Sequence, residues 1–305
     1  MLKMYHRSQH EGGTSEYWEQ NWRKTSLEET VRFCEVDPLR PFFERHVRPG
    51  DLMLEGGCGV GQYVTYYAER GVKTVGLDFE RVALSALHES RPSLPLCAGD
   101  VAHLPFRDES FDCYYSGGIV EHFEAGAEAA LREARRVLRP EGVLLITVPY
   151  FSPLRRFLTP FSANSEREVT EAQADFLGER DGKHLTFFQY AYQVNEFKSQ
   201  LAEAGFRVVS TRGFSILWGL YEFPLLRRLV DSWRSMRRSR PVPSSDRTVE
   251  ESDRFANGCK DGTQSVLRRL VVSEDVSVPL LGWVVRALGW GCANMMLYVC
   301  VRADH

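Results

Sequence analysis

The sequence predicts an α/β fold in which a mostly parallel, doubly wound sheet carries helices on both faces. From residue 50 onward, short apolar runs typical of buried strands alternate with amphipathic segments, and the connections between them are short. Strands are expected at about 51–55, 73–78, 94–98, 111–116, 142–148, 206–211 and 295–301. The helices expected between them cover about 60–70, 81–89, 126–138 and 191–204.

A glycine-rich turn follows the first of these strands. Glu55 ends the strand, glycines stand at positions 57, 59 and 61, and an amphipathic segment begins at Val60. Glycine permits backbone conformations with φ > 0 and lets a ligand approach closely, while the N-terminus of a helix offers unpaired N–H groups. The turn therefore predicts a site for a nucleoside cofactor. A tight connection without a ligand is the alternative interpretation.

The spacing of the glycines distinguishes between cofactors. A dinucleotide site has the pattern G-x-G-x-x-G, but Gln62 stands where its third glycine would fall after Gly57 and Gly59. The pattern here is G-x-G-x-G. A negative charge on Glu55 would repel a pyrophosphate, but it would suit an ammonium or sulfonium group. A nicotinamide-dependent oxidoreductase is therefore disfavoured.

These residues resemble the first motif of the class I S-adenosylmethionine-dependent methyltransferases, E/D-x-G-x-G-x-G. The positions that match it are Glu55, Gly57, Gly59 and Gly61. Two further runs resemble the family: L-P-F…S-F-D within 104–112, and 138–144, where Glu141 replaces one glycine of L-K-P-G-G-x-L. The resemblance is strong over about 50–150 and moderate over about 184–212. It implies S-adenosyl-L-methionine as cofactor and a Rossmann-like seven-stranded sheet whose last strand is antiparallel and lies beside its predecessor.

Residues after the second and third strands complete the expected cofactor site. Asp78 ends the second strand about 20 positions beyond the glycine turn, where it could accept hydrogen bonds from both ribose hydroxyls. A helix N-cap or a turn is the alternative role for it. Phe79 could lie against the adenine or simply pack. The resemblance implies that Asp100 accepts from the adenine amino group and that the backbone N–H of Val101 reaches the ring.

The segment after the fourth strand, Ser116 to His122, is expected to border both cofactor and acceptor, because ligands bind outside the carboxyl ends of parallel strands. Ser116 is accordingly a candidate cofactor contact. Methyl transfer from a sulfonium needs mainly positioning, but an oxygen acceptor can need a base, for which His122 and His184 are the candidates. A capping or packing role for His122 is an equal alternative. Glu121 is expected to stay ionised at a helix start.

The chain divides into a methyltransferase core and elements outside it. The predicted regions are N-terminal helices that could form a lid over 1–48, a cofactor-binding core over 49–150, an acceptor-side cap segment over 151–190, a core helix and strand over 191–213, a helical and basic insertion over 214–293 with a flexible linker at 241–265, and a closing strand over 294–305. In the N-terminal region, Tyr17, Trp18 and Trp22 stand at helical spacing. They are expected to pack on the sheet or to cover the cofactor.

The insertion contains a predicted basic amphipathic helix over 222–240, in which apolar residues at helical spacing are accompanied by six arginines. It could cover the acceptor or make peripheral contact with an anionic surface, and an ordinary solvated face is an equal alternative. The apolar run over 276–301 is interrupted by Pro279, Gly282 and Arg286, so it is not expected to span a membrane.

Composition limits the remaining possibilities. With 305 residues, 43% of them hydrophobic, the chain can bury a large core. Its net charge of −3 gives no indication that it binds polyanions. The absence of an Asn/Asp-Pro-Pro-aromatic run after the fourth strand argues against methylation of DNA bases, so no DNA partner is expected. The seven cysteines form no C-x-x-C pair, so no metal site is expected, and the absence of a signal peptide favours the cytoplasm.

The acceptor expected from the resemblance is a small molecule, of the kind used by type 11 methyltransferases, methylated on an oxygen, nitrogen or carbon atom. Two alternatives remain open: a protein that binds the cofactor without turnover, and an enzyme that acts on a lipid-linked or macromolecular acceptor. The sequence leaves the oligomeric state undetermined.

Overall fold

A seven-stranded sheet lies at the centre of the protein. The computed structural model of the chain describes residues 1–8, 18, 22–23, 25–158, 168–170, 184–221, 273–274 and 281–303. Within these residues the central sheet has the order β4-β3-β2-β5-β6-β10-β9. Its strands are β2 (Leu52–Gly56), β3 (Lys73–Asp78), β4 (Leu96–Ala98), β5 (Phe111–Gly117), β6 (Leu138–Pro149), β9 (Phe206–Phe214) and β10 (Met295–Arg302). Strands β2 to β6 are all parallel to one another, whereas β10 runs antiparallel to both β6 and β9.

This arrangement confirms the predicted fold class, including an antiparallel last strand inserted beside its predecessor. Two strands are longer than expected. Strand β6 begins at Leu138, which pairs with Phe111, and β9 continues to Phe214, which lies opposite Met295. The residues in both extensions pair with a neighbouring strand. The local sequence pattern carries no information about such pairing, so the extensions could not be predicted from it.

Helices cover both faces of the sheet. They are α1 (Leu27–Phe33), α2 (Arg40–His46), α3 (Gln62–Ala68), α4 (Arg81–Ser90), α5 (Glu128–Val137), α6 (Pro153–Leu158), α7 (Val194–Glu203), α8 (Ile216–Tyr221) and α9 (Gly282–Cys292). Successive residues of β5 point to opposite faces, so Tyr114 packs with α5 and α7 while Cys113 and Tyr115 pack with α2 and α3. Phe43 of α2 is fully buried and stacks on Tyr63 at a centroid distance of 5.1 Å.

The N-terminal region differs from the prediction. Residues Leu2–Ser8 form a strand, β1, where helices were expected over 1–48, and the first helix that the structure describes in full is α1. Strand β1 pairs antiparallel with β7 (Glu168–Thr170) and β8 (His184–Ala191) in a second sheet. Trp18 and Trp22 have helical backbone, whereas Tyr17 lies outside the described residues. Residues 2–8 form a strand instead of a helix because they pair with β8, which lies far along the chain.

The two segments outside the core are only partly described. The predicted cap segment contributes α6, β7 and β8, and the predicted insertion contributes α8, residues 273–274 and α9. The predicted basic helix over 222–240 and the linker over 241–265 lie outside the described residues. The apolar run over 276–301 includes α9 and most of β10, and no helix in the described ranges is both long and apolar enough to cross a membrane.

Candidate active site

A cavity of about 360 Å³ opens at the carboxyl ends of strands β2 to β5. Its lining residues come from the predicted cofactor motifs and from the segment after β5: Trp18, Trp22, Gly57, Asp78, Phe79, Gly99, Asp100, Val101, Ile119, His122 and Phe123. The volume lies within the range of small-molecule sites, and the carboxyl edge of a parallel sheet is where such ligands bind. The fold therefore brings together motifs that are far apart in sequence.

The glycine turn is shaped by contacts that exclude side chains. Gly57 has φ +78°, and a Cβ atom placed there would lie 2.2 Å from the Cδ1 atom of Ile119. The N–H of Gly59 donates to Oδ2 of Asp78 at 2.7 Å, which ties the turn to the end of β3. Gly61 is the N-cap of α3 with φ +80°. Glycine is required here both for the backbone conformation and for the space.

Asp78 is fixed at the floor of the cavity. Its Oδ1 atom accepts a hydrogen bond from the backbone N–H of Glu80 at 2.8 Å, in addition to the Gly59 contact at Oδ2. Burial raises the pKa of Asp78, and the two backbone donors oppose that rise. Carboxylate oxygens have further lone pairs, so they can still accept from ribose hydroxyls while the backbone bonds hold the side chain in place.

Glu55 does not line the cavity. Its Oε2 atom accepts from the N–H of Val64 at 2.9 Å, in the first turn of α3, and the side chain is buried. Burial, together with the charge of Asp78, raises the pKa of Glu55 to about 8. The carboxyl group of Glu55, which was expected to face the cofactor, is thus buried and supports the turn. Direct contact between Glu55 and the cofactor stays a prediction.

The predicted adenine side has one apolar and one polar wall. Phe79 lines the cavity although 55% of its surface is exposed, so its ring is available for stacking. Asp100 accepts from the N–H of Ala102 at 2.8 Å, and its Oδ2 atom lies 3.3 Å from Nδ1 of His103. Val101 is buried beside it. The carboxylate of Asp100 is an acceptor of the type that an adenine amino group needs. The contacts of Asp100 and Val101 with adenine stay predictions.

Aromatic side chains form the opposite wall. Trp18 stacks on Trp22 at a centroid distance of 5.5 Å, and its ring meets His122 edge-on at 5.2 Å. Trp22 in turn lies over the glycine turn, since a Cβ atom on Gly59 would be 2.7 Å from its ring. The helical spacing of Trp18 and Trp22 indicated one shared face. The contact of Trp22 with the turn had no signal in the sequence.

His122 is held by strand β8. Its Nδ1 atom lies 2.7 Å from the carbonyl oxygen of Phe188, and the Phe188 ring packs edge-on against the imidazole at 5.0 Å. A carbonyl oxygen only accepts, so Nδ1 carries a proton, and the lone pair of the neutral ring is assigned to Nε2. The sequence did not indicate Phe188 as a contact of His122, because the two residues are 66 positions apart in the chain.

Ser116 and Glu121 are both buried and are not among the described residues that line the cavity. The Oγ atom of Ser116 and the Oε2 atom of Glu121 have no hydrogen-bond partner among the described residues. Burial raises the pKa of Glu121 to about 8. Glu121 was expected to stay ionised at a helix start, whereas its burial disfavours the ionised form. It belongs to a short 3₁₀ helix, Val120–His122, which places the side chain in the protein interior.

His184, the second candidate base, is not brought beside His122 by the described backbone. It begins β8 opposite Ser8, four residues before Phe188. Four residues of extended strand span about 13 Å. The side chain of His184 lies outside the described part of the structure, so its catalytic role stays a prediction.

A second cavity, of about 460 Å³, lies at the opposite edge of the sheet and is lined by charged side chains. Its arginines are already engaged: Arg136 binds Glu133 and Asp108, and Arg302 binds Glu109. It contains none of the predicted motifs. The cavity at the carboxyl edge is the candidate active site.

A doubly wound sheet with a glycine turn, a buried aspartate at the end of β3 and an exposed aromatic ring beside it is typical of enzymes that bind a nucleoside cofactor. Residues 54–146 match the protein family described as methyltransferase domain. The segment 54–146 is a methyltransferase domain of the class I S-adenosylmethionine-dependent kind, so the predicted family, enzyme class and cofactor are confirmed for this part of the chain.

Relatives and solved structures agree with this family. A probable S-adenosylmethionine-dependent methyltransferase of Mycolicibacterium smegmatis is 32% identical over 140 residues, which are 45% of this chain and 53% of that protein. Probable tRNA methyltransferase 9B of Homo sapiens is 35% identical over 112 residues, or 36% of this chain and 24% of that protein. This chain thus spans about half or less of the length of these two relatives.

One solved structure supports the fold over nearly the whole chain. It is the complex between the Haloferax volcanii Trm112 methyltransferase activator and a putative methyltransferase, with a TM-score of 0.54 and 16% identity. The match covers 97% of this chain and 100% of the other. At this level of identity the likeness concerns the fold.

Proposed function

We propose that the protein transfers a methyl group from S-adenosylmethionine to a small-molecule acceptor bound at the aromatic wall of the cavity. The observation that carries this proposal is the composition of that wall. Trp18, Trp22, Ile119 and Phe123 are apolar or weakly polar, and His122 is the titratable side chain that lies among them. The cofactor-motif residues occupy the other side of the same cavity.

The bound cofactor supplies an electrophilic methyl group on a sulfonium. Asp78, Asp100 and Phe79 are suited to hold its adenosyl part, through carboxylate acceptors and a stacking surface. Trp22 lies over the glycine turn and Trp18 stacks on Trp22, so the pair would limit the access of water to the bound cofactor. Holding the acceptor in line with the methyl group accounts for most of the rate enhancement, because the reaction needs little covalent help.

His122 is the proposed general base for an acceptor that must lose a proton. Its Nδ1–H group donates to the carbonyl of Phe188, which fixes the plane of the ring and assigns the basic lone pair to Nε2. A base whose orientation is set by a hydrogen bond on its far side needs no reorganisation during proton transfer.

The charge of the protein and of its cavity favours a small-molecule acceptor over RNA. One relative is named as a probable tRNA methyltransferase, and a complex of a structural neighbour includes an activator protein, so a macromolecular acceptor is the second candidate. Proteins that bind RNA neutralise phosphates with lysine and arginine. This chain has a net charge of −3, and the described residues that line its cavity include two carboxylates and no lysine or arginine.

The experiment that tests this function measures transfer of a labelled methyl group from S-adenosylmethionine. The full-length protein is incubated in parallel with a metabolite panel, a total lipid extract and a tRNA pool. We expect label in the metabolite fraction. Label that appears only in the tRNA and is released by ribonuclease would contradict the proposal. Cofactor binding without transfer to any fraction would indicate a binding protein.

The proposed base has its own test in His122→Asn. The asparagine amide can still donate to the Phe188 carbonyl but cannot titrate, so kcat should fall about 10²-fold or more while cofactor affinity is retained. The acidic limb of the pH–rate profile should disappear with it. An unchanged profile would show that His122 only positions its neighbours and that catalysis rests on proximity.

A further inference from the structure

Helices α8 and α9 present an unusual number of exposed tryptophans. Trp218 of α8 and Trp290 of α9 are each 66% exposed, and Trp283 of α9 is 65% exposed. Leu217 and Leu288 on the same two helices are also exposed. Large apolar side chains that cluster on a surface mark an interaction site, whereas single ones do not. The exposed side chains of α8 and α9 are called the aromatic face below.

The aromatic face is not the outer side of a loosely attached helix. Helix α9 packs against α6, α8 and β9. Its inward residues are small, and a Cβ atom on Gly213 would lie 2.0 Å from the carbonyl oxygen of Gly289. Likewise, a Cβ atom on Gly219 would lie 1.6 Å from the carbonyl oxygen of Cys292. The backbone of α9 thus packs directly against the backbones of β9 and α8, and this close packing determines which side of α9 faces outward.

The outward side combines tryptophan with positive charge. Trp283, Arg286 and Trp290 recur at intervals of three and four residues, so they share one stripe of α9. Helix α6 adds the exposed Arg156, whereas its Arg155 is partly buried against Asn294 and Met4. Helices α6, α8 and α9 together contain no aspartate or glutamate in their sequences. A typical protein–protein interface surrounds its apolar centre with a mixed polar rim, whereas the charge carried by these three helices is entirely cationic.

We propose that the aromatic face docks the protein on the surface of an anionic lipid bilayer. Tryptophan prefers the boundary between headgroups and acyl chains, and arginine pairs with lipid phosphates. Helix α9 has 11 residues, so it is about 16 Å long and lies along the bilayer surface instead of crossing it. Docking is independent of methyl transfer.

The docked protein would have its cavity close to the lipid. Pro149 before α6 and Phe214 before α8 both lie opposite Met295, which follows α9. The three helices therefore stand at the carboxyl edge of the sheet, the edge at which the cavity opens. The Tyr150 hydroxyl donates to the carbonyl oxygen of Trp290 at 3.0 Å, which links this edge directly to α9.

Co-sedimentation of the full-length protein with vesicles tests the docking. We expect binding to vesicles of phosphatidylglycerol mixed with phosphatidylcholine, weaker binding to pure phosphatidylcholine, and weakening as ionic strength rises. The double variant Trp283→Ser, Trp290→Ser should reduce affinity about tenfold or more, because two apolar side chains no longer enter the bilayer. Arg286→Gln should reduce it about fivefold, in line with about 1 kcal/mol per basic residue.

Phe33→Ser is the matched control. Phe33 is a 46% exposed aromatic residue of α1, which packs on the opposite face of the sheet, so its removal should leave vesicle affinity unchanged. Thermal unfolding verifies that each variant is folded. Vesicle binding that survives the tryptophan substitutions overturns the proposal, because it would then arise elsewhere, as in 222–240. A dimer in sedimentation velocity that the same substitutions dissociate also overturns it, because a second copy would then occupy the face.

Discussion

Asp78 both supports the glycine turn and faces the cofactor cavity. Its two oxygens accept from the N–H groups of Gly59 and Glu80 while the side chain lines the cavity. We expect Asp78→Asn to weaken S-adenosylmethionine binding by about 1–3 kcal/mol, because a charge-assisted hydrogen bond to the ribose is lost. Isothermal calorimetry measures the effect.

Asp112→Asn is the control for that measurement. Asp112 accepts from the N–H of Leu52 at 2.8 Å, a bond of the same kind, but it stands at the opposite end of β5 from the cavity. Its substitution should leave cofactor affinity unchanged. Equal losses of affinity in the two variants would mean that Asp78 acts only through the stability of the fold.

Glu121 makes the stability of the protein depend on pH. Its pKa is about 8 in the folded protein and about 4.5 when unfolded, so between these values the folded state holds a proton that the unfolded state has released. The free energy of unfolding should therefore fall as pH rises from about 5 to about 8. Glu121→Gln, which cannot ionise, should reduce this fall.

Urea unfolding at several pH values measures the change. Glu55 has the same shift in pKa, so Glu121→Gln should reduce the pH dependence without abolishing it. Glu128→Gln, at an exposed glutamate paired with Arg132, should leave the pH dependence as in the unchanged protein. A wild-type-like pH dependence in Glu121→Gln would mean that the carboxyl group reaches water.

At the scale of elements, the need for glycine in the turn can be tested by comparing Gly57 with Gly50, which has no neighbouring atoms within 4 Å of an added Cβ. We expect Gly57→Ala to cost more stability than Gly50→Ala. Both have positive φ, but an alanine at 50 would meet nothing within 4 Å, whereas one at 57 would overlap Ile119. The backbone strain alone is worth about 1–2 kcal/mol. Thermal or urea unfolding of the two variants gives the difference.

A double-mutant cycle identifies the cause. If overlap with Ile119 is responsible, Gly57→Ala should cost less in an Ile119→Ala background than in the unchanged protein. Equal costs in both backgrounds would contradict a steric role for Ile119.

The elements that the sequence predicts well are those set by local pattern. Strand β3 and helix α4 lie within a residue of their expected bounds, because alternating apolar runs and intervening glycines define them locally. The position of the candidate cofactor cavity could be predicted for the same reason, because each of its motifs stands at the end of such a strand. The antiparallel position of β10 came from family resemblance, since a single apolar strand carries no sign of its direction.

Three features could not be read from the sequence, because each depends on contacts between distant segments. Strand β1 exists by pairing with β8, and its short polar and apolar run has no feature that excludes a helix or a loop. The aromatic residues of β8 favoured a cap, which left the contact between Phe188 and His122 unexpected. The burial of Glu121 arises from what packs over it, and local sequence gives no measure of that.

At the scale of the whole molecule, the first strand of the chain supports the acceptor side of the site. Strand β1 lies between β7 and β8, and β8 supplies the carbonyl oxygen that orients His122. We expect removal of residues 1–8 to lower kcat while cofactor affinity changes by less than about twofold, because the cofactor residues lie in the central sheet. Calorimetry and single-turnover kinetics separate these effects.

Hydrogen exchange provides the control for this truncation. The amides of β8 should lose protection while those of β2 and β5 keep it, since the central sheet does not include β1. A parallel loss of protection in both sheets would mean that β1 stabilises the molecule as a whole.

The pairing of Leu2 with Ala191 also fixes an order of events during synthesis. Strand β1 has no partner until β7 and β8 have been translated, by which time β2 to β6 and their glycine turn are already available to pair. Closing so long a loop is also entropically costly, so β1 pairs late during refolding as well. The nascent chain thus contains the strands that carry the predicted cofactor residues before it contains β8, which orients His122, and until β7 and β8 are made β1 remains unpaired.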